Sequence, residues 1–389
     1  MKRQLLIVLT ILTAQAAMAQ ATGGQLDSVI NSLNLKEVEV RAKKVRQEGD
    51  TISFMASSYI KKNDKVLEDL LKKMPGIEVT ADGQVKYNGQ WINEFYIEGS
   101  DMLGDNYSVA TKNIDAQAIG SVQIMENHQD RKMLQGIQRG TAPAMNIRLK
   151  RTAKGVWSST LSAALGAQPG FARDISATLM NFQRNKQNIS VVKTNNTGSD
   201  LRREVHATDN DGSLSGTGIV TPQKPDIPDA FAYRNDSYLA SVNQLFKLDD
   251  ENTLTCNVNY MYDKERRRSK DMTTYTQGED VVKTIFEQDN ASLRQHYVGG
   301  HVVYKQNAAA AYLKNNLSFN LSFPDNNGII NDYLRQKLDG HYVSIDDHLD
   351  ASYKRKGGGI ADAGLDINYQ DRTGNLSVES EGVAERVHQ

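Results

Sequence analysis

The sequence contains one cysteine, Cys256, and only seven prolines in 389 residues. A single thiol excludes an internal disulfide framework and any multi-cysteine zinc or iron–sulfur centre. Charge of one sign is also missing: 46 Lys and Arg face 47 Asp and Glu. A nucleic-acid binder would carry a basic surplus, so that class is set aside. No stretch beyond the N-terminus approaches the roughly 18 uninterrupted apolar residues of a membrane helix. Apolar residues make up 39% of the chain, below the roughly 45–50% of an ordinary soluble domain. Regular patterning at that low content leaves two classes open, a loop-rich soluble β protein and a porin-type barrel. A protein with no spanning helix can sit in a membrane only as a closed barrel, which alone pairs every strand's backbone groups.

Catalytic signatures are missing too. There is no His-Glu-x-x-His and no phosphate-binding Walker loop, and Gly212-Ser213-Leu214-Ser215-Gly216 has leucine where a nucleophile elbow needs serine. The histidines are dispersed and make no metal-ligand spacing on one helix. Nothing here calls for a cofactor, and no enzyme is expected.

What is present begins with an address. Lys2 and Arg3, the apolar run Leu5 to Leu12 and the small-x-small site Ala17-Met18-Ala19 make a secretory signal peptide over residues 1–19, cleaved after Ala19. The run is too short for a membrane anchor, and no cysteine follows the cleavage site to carry a lipid. Residues 20–47 are a polar extension in which Leu35-Lys36-Glu37-Val38-Glu39-Val40-Arg41-Ala42 alternates like one extended strand.

Residues 48–150 read as a small α+β domain. Asp64, or Asn63, is placed to cap a helix carrying Val66, Leu67, Leu70, Leu71 and Met74, which Pro75-Gly76 ends. Ile77 to Val79 and Val85 to Tyr87 flank a turn at Ala81-Asp82-Gly83 and predict a hairpin. Further strands are expected at Phe95 to Gly99, Val122 to Met125 and Met145 to Leu149, with a short helix over Ile114 to Ile119.

From Gly155 the period becomes two. Leu254, Cys256, Val258, Tyr260 and Tyr262 oppose Thr255, Asn257 and Asn259, and Leu317, Phe319, Leu321 and Phe323 oppose Ser318, Asn320 and Ser322. Similar segments lie near 157–165, 174–182, 188–194, 238–246, 297–305, 348–354 and 361–370. Short connections near 184–186, 249–251 and 356–358 alternate with longer ones near 195–232, 264–290 and 324–345, as in an outer-membrane barrel. A soluble β-sandwich with one buried face shares the alternation, but its strands are usually shorter.

The order of these pieces resembles a TonB-dependent outer-membrane receptor of the type common in Bacteroidetes. Val38 to Ala42 looks like the TonB box, with Glu39 and Arg41 where the family usually has Val and Thr. Leu67, Leu70, Leu71, Pro75, Gly76, Ile77 and Val79 are similar to the plug signature, and the strand after it ends at Gly99. Ile119 to Asn127 and Asn146 to Lys150 match later plug strands.

The resemblance implies a plug at 48–150, then the N-terminal part of an outer-membrane barrel at 151–389. It implies active import of an unidentified ligand, with Leu35 to Ala42 meeting TonB in the energy-coupling complex. Outer-membrane lipid and a surface lipoprotein are further expected partners. The alternative is a non-transporting structural or surface-binding barrel protein.

Geometry adds one more expectation. The 235 residues from Gly155 make about nine or ten strands of roughly 9–11 residues, whereas a plug of this size needs the lumen of roughly 22. The barrel should therefore be incomplete and the chain a truncated N-terminal fragment, an open sheet around its plug. A small closed barrel with the α+β domain outside is the competing arrangement. Two loop features stay open: Asp209-Asn210-Asp211-Gly212 as a calcium loop or plain solvated chain, and Arg266-Arg267-Arg268 as a binder of lipid phosphates or a solvated run.

Overall fold

The structure is a computed structural model that describes residues 44–168, 170–204, 218–222, 227, 234–278 and 280–380. The leader, the strand-like Leu35 to Ala42 and the Asp209 to Gly212 loop lie outside the described residues.

Two sheets and a hairpin unit organise the chain. A six-stranded sheet runs in the order β1-β2-β8-β9-β6-β7, from β1 (Val45–Glu48), β2 (Thr51–Met55), β6 (Glu94–Ile97), β7 (Ser100–Asp101), β8 (Ile119–Met125) and β9 (Ala144–Leu149). Its pairs are antiparallel except β6 with β9, which is parallel. Beside it β3 (Ile77–Val79), β4 (Val85–Tyr87) and β5 (Gln90–Trp91) form a small antiparallel sheet. Two short helices complete this α+β unit, α1 (Leu67–Leu71) and α2 (Ser108–Asn113).

The first helix is shorter than its apolar spacing predicts. Asp64 is not its cap: the Asp64 carboxylate accepts from the Lys61 amide at 2.7 Å and pairs with Lys73. The start moves to Leu67 because the segment before it is drawn into a bridge. The Leu67 amide donates to the Ile114 carbonyl at 2.8 Å and the Ala116 amide to the Lys65 carbonyl at 3.2 Å. Val66 is therefore extended, and Asp69 reaches back to accept from the Lys65 and Val66 amides at 2.9 and 3.2 Å. The same bridge corrects the second expected helix. Within the expected span only Ala116–Ala118 is helical, as a single 3-10 turn capped by Asp115; Ile114 is extended, the α-helix lies upstream over Ser108–Asn113, and Ile119 already begins β8.

The first helix ends earlier than expected, at Leu71 with Lys72 as its C-cap, and Pro75-Gly76 makes the turn from there into β3. Gly76 has φ +75°, and a Cβ there would stand 2.6 Å from Asn88 Oδ1. Only glycine takes that turn without strain, and it lets the Asn88 amide donate to the Gly76 carbonyl at 2.8 Å.

The second sheet has nine antiparallel strands in simple chain order. They are β10 (Trp157–Gln168), β11 (Gly170–Phe182), β12 (Lys186–Asn195), β13 (Arg234–Lys247), β14 (Asn252–Gln277), β15 (Asp280–Asn307), β16 (Ala311–Ile330), β17 (Leu334–Lys354) and β18 (Ile360–Ser380). Each contains one of the nine alternating segments read from the sequence. Two expected long loops are not loops. Pairing continues through 264–277 with 280–292, with one register shift between Tyr275 and Thr276, and resumes from Asp325↔Asp339 to Ile330↔Leu334, so these segments lengthen the strands to as many as 28 residues. Cross-strand partners such as Met272 with Phe286 sustain the ladder beyond the sheet body. Among the described residues β10 and β18 each keep an unpaired outer edge, so the sheet is open.

The α+β unit packs on one face of this sheet. Its core of Leu67, Leu70, Leu71, Phe95, Ile97, Ile114, Val122, Ile124, Met145 and Ile147 is continuous with Met180, Phe182, Ile189, Val191 and Leu245 from β11 to β13. The competing arrangement, with the α+β unit away from the sheet, is not what the chain adopts.

Leu70 has no solvent exposure and sits at the centre of this core. Leu70→Ala is expected to cost about 2–5 kcal/mol, measured as a lowered urea midpoint of the folded chain. A shift equivalent to under about 0.5 kcal/mol, the size of an ordinary surface change, would mean that this core is not formed.

Candidate functional site

The pleat sorts the nine-stranded sheet into two chemically different faces. On β13 and β14, Ser237, Ser241, Asn243, Thr255, Asn257, Asn259, Asp263 and Glu265 are buried. Their sequence neighbours Tyr238, Val242 and Val258 are exposed, Val258 by 46% against 0% for Asn257. The pattern persists on β16 and β17, where Leu317, Phe323 and Ile345 are exposed while Ser322 and Ser344 are buried; on β18 both faces are open, and Leu365, Ile367 and Tyr369 are exposed. Apart from the apolar patch of Met180, Phe182, Ile189, Val191 and Leu245, polar residues thus predominate on the face toward the α+β unit, and apolar residues face away. A soluble sandwich has the opposite polarity.

Burying so many polar side chains requires partners for them, and they find each other. Asn257 donates to Asn243 Oδ1 at 2.9 Å and to the Met102 carbonyl at 3.3 Å. Asn243 donates to the Ile189 carbonyl at 3.1 Å, Ser237 to Asp263 at 2.5 Å, and Gln187 to the Ile97 carbonyl at 3.2 Å. Tyr297 lies along the inner wall and donates to Asn320 Oδ1 at 2.7 Å. It can do so because position 299 is glycine, where a Cβ would stand 2.2 Å from the tyrosine hydroxyl.

Between this wall and the α+β unit lies a polar cavity of about 620 Å³, bordered by Glu94, Asp101, Asp105 and Asp130 on one side and by Asn259, His301, Lys305 and Lys314 on the other. Asn259 Oδ1 is buried and has no protein donor. A buried amide oxygen in that state costs about 1–3 kcal/mol unless a water or a solute donates to it, so the cavity suits small polar occupants. Enclosure raises the Asp101 carboxyl above its ordinary value, although Lys305, the Gly104 amide and Lys314 oppose the shift.

One loop fastens the unit to the wall. Asp130, Arg131 and Lys132 follow β8, and all three reach the sheet. Asp130 pairs with Lys305 at 2.5 Å, and its carbonyl accepts from Asn307 at 2.7 Å. Arg131 pairs with Asp350, donates to Ser352 Oγ at 2.6 Å, lies 3.7 Å from Asp362 and stacks 4.6 Å over the Tyr312 ring. The Lys132 amide donates to Asn307 Oδ1 at 2.9 Å and its ammonium to the Asp250 carbonyl at 3.2 Å. Contacts from this one loop therefore reach from the β13–β14 turn to β18.

Behind the loop, Glu94, His128 and Asp130 hold ligand-type atoms within 4.8 Å of one another. The Tyr96 hydroxyl sits among them, close to Glu94, 2.9 Å from His128 Nε2 and 3.0 Å from Asp130. Burial and the two carboxylates push that phenol far above its usual range. With the Lys305 ammonium on Asp130 as well, these groups are already satisfied by protein, and they serve as the anchor of the loop. Burial alone would raise Asp130, but Lys305, Tyr96 and His128 outweigh it and hold the carboxyl below its ordinary value.

The residues singled out by the sequence lie elsewhere. Leu67, Leu70, Leu71 and Ile77 are in the core of the α+β unit, Val79 is half-buried, and Pro75 and Gly76 form the exposed turn after α1. Gly99 closes the β6–β7 turn at φ +75°, with its amide donating to Asn146 Oδ1 at 3.0 Å. None of them borders the cavity. Asp130, Arg131 and Lys132 were not singled out, because their partners are more than a hundred residues away in sequence. The only local signal was a dense polar run, Asn127 to Lys132, directly after an apolar strand.

No protein-family model and no curated protein matches the sequence. Among solved structures the chain is similar to the copper transporter OprC, with 12% identity, 87% of this chain and 61% of that one covered, and a TM-score of 0.25. It is similar to a mutant of the ferric enterobactin receptor PfeA of Pseudomonas aeruginosa, with 11% identity, 87% and 60% coverage and a TM-score of 0.28. It is also similar to the ferric yersiniabactin uptake receptor FyuA of Yersinia pestis, with 11% identity, 86% and 62% coverage and a TM-score of 0.29. The chain spans about three fifths of the length of these structures. Overlaps this weak carry no weight in the argument below.

The loop contacts give two expectations. Lys305→Met should leave Asp130 uncompensated beside Glu94 and loosen residues 126–143, seen as faster backbone amide exchange there and unchanged exchange in α1. Equal exchange in both proteins would show that the contact holds nothing in place. Because Asp130 is held below its ordinary value near 3.8, its contribution is complete above that pH and disappears as pH falls through the folded value. Protease resistance of the loop should therefore fall as pH drops below about 3.8, and Asp130→Asn should flatten that dependence.

Proposed function

We propose that the chain forms the N-terminal part of an energy-coupled import receptor of the outer membrane, of the TonB-dependent kind found in Bacteroidetes. In this reading the α+β unit is a plug, and the nine strands are a section of the barrel wall around it. One observation carries the reading: the buried face of the sheet is the polar one. A wall with apolar side chains outward and serine, asparagine and carboxylate side chains inward suits lipid on one side and a hydrated interior on the other. In water the same sheet would expose its aliphatic face and bury its polar one at a net cost.

The plug assignment rests on size and attachment. A unit of about a hundred residues needs a lumen of roughly 22 strands, so the nine described strands make up part of the wall and further strands complete it. Several of the loop attachments to the wall are polar or ionic contacts rather than aliphatic packing. Such contacts can be exchanged for water at small net cost, as a plug that must shift to admit a solute requires.

Leu35 to Ala42 is then the segment that recruits TonB. An extended strand can add to a partner's sheet through backbone hydrogen bonds that tolerate varied side chains, and Glu39 and Arg41 do not prevent this. An outer membrane has no ion gradient of its own, so force applied to this strand from the inner membrane supplies the energy. The ligand is a small solute caught by the outer loops and the upper surface of the plug.

The test uses the full-length receptor in cells. A photo-crosslinker at Val38 should capture TonB, and deletion of residues 35–42 should abolish solute uptake while leaving surface binding intact. Absence of any crosslink, with uptake unaffected by the deletion, would reject energy coupling and favour a static surface protein.

A further inference from the structure

We infer that the outward face of β11, β13, β14 and β15 binds a phosphate-bearing headgroup of an outer-leaflet glycolipid. The inference rests on the membrane-wall reading above and adds a lipid site to it.

The pleat divides the Arg266-Arg267-Arg268 run. Arg267 points to the inner side, where Glu265 accepts from it twice, at 2.7 and 3.0 Å. Arg266 shares the outward face with Leu254, Val258, Tyr260 and Tyr262 and is exposed. Along this face three zones follow one another. The first is apolar, with Leu254 and Val258. The second is aromatic: the Tyr262 ring centroid lies 6.0 Å from that of Tyr238 and 4.8 Å from that of His296, whose Nδ1 is 3.0 Å from the Tyr260 hydroxyl. The third is cationic. Arg173 donates to the Tyr238 hydroxyl at 2.8 Å, Lys264 stands opposite Arg294, and Arg266 stands opposite Arg234.

Depth fits the zones. Aromatic girdles mark the edge of the hydrocarbon layer. Lys264 and Arg266 lie two and four residues beyond Tyr262, about 7 and 14 Å along a strand rising roughly 3.4 Å per residue. With a strand tilt of about 40° that becomes roughly 5 and 10 Å above the girdle, which is headgroup depth. The zone lies at the sheet end away from the short turns at 248–251 and 308–310. In an outer-membrane barrel the connections are short on the periplasmic side and long on the outer side, and it is at this end that β14–β15 and β16–β17 run on as long hairpins.

The charge is unbalanced. Like charges directly opposite on neighbouring strands repel, and here two such pairs are adjacent. Asp236 pairs with Arg173, and Asp325 lies 3.3 Å from Arg294. Lys264 stands opposite Asp236, which Arg173 already holds, so the two carboxylates Asp236 and Asp325 face five cations, and Arg294 Nε is buried without an acceptor. A doubly charged phosphate seated between the pairs would accept from these groups and remove the repulsion.

The experiment places the purified full-length receptor in phosphatidylcholine vesicles doped with a diphosphorylated glycolipid, or with the same glycolipid after enzymatic removal of its phosphates. Co-purified lipid is counted by native mass spectrometry. Wild type should retain the phosphorylated form at least roughly tenfold over the dephosphorylated one. Arg234→Gln with Arg266→Gln should lose that preference, and Arg234→Lys with Arg266→Lys, which keeps the charge, should preserve it. Equal retention of both glycolipids, or a preference untouched by the Gln pair, overturns the site. Displacement of the glycolipid by millimolar inorganic phosphate overturns the lipid as its occupant. Failure to enter any vesicle overturns the membrane-wall reading together with this one, whereas insertion without phosphate preference overturns this one alone.

Discussion

The two-residue period of the pleat is the constraint on which everything else in this molecule depends. Adjacent side chains on a strand must enter different surroundings. Here the two surroundings are so unlike that one-residue register slips are forbidden: a slip would carry Asn257 and Asn259 outward and Val258 inward. The hydrogen bonds of Asn243, Asn257, Ser237 and Asp263 fix the register from inside. The rings of Tyr238, Tyr262 and His296 mark it from outside.

A polar interior has a consequence for the α+β unit. The unit has its own aliphatic core around Leu67, Leu70, Leu71 and Phe95, and it shares apolar packing with the sheet mainly through β11 to β13. Further around the sheet the attachment becomes ionic and hydrogen-bonded, through Asp130, Arg131 and Lys132. One side is held as in a folded core and the other by contacts that water can replace. Such asymmetry suits a unit that must stay in place yet yield along one boundary, and the polar cavity lies on that yielding side.

The sequence and the structure agree where a feature is local and part where it depends on distant chain. The nine alternating segments were legible because each strand carries its period in its own residues. The hairpin Ile77 to Tyr87 was legible because Asp82-Gly83 declares its turn. The start of α1 was not, since the Leu67 amide bonds to Ile114, 47 residues on. The predicted loops at 264–290 and 324–345 failed for a related reason: polar residues such as Thr273 and Asn327 read as loop, yet cross-strand pairing with Ile285 and Lys337 keeps them in the ladder.

By itself the sequence determined the period, the strand count and the order of an α+β unit before a long antiparallel sheet, because backbone geometry ties these to residues close together in the chain. It also excluded an internal disulfide, since Cys256 is the single cysteine. Only the tertiary structure decided which face of each strand is buried, since alternation is symmetric and the unit that covers the polar face comes from elsewhere in the sequence. It likewise decided that Asp130 and Arg131 meet Lys305 and Asp350, and that Arg267 turns inward to Glu265 while Arg266 stays outside. Ion pairs between distant residues leave no periodic trace, so folding alone brings them together.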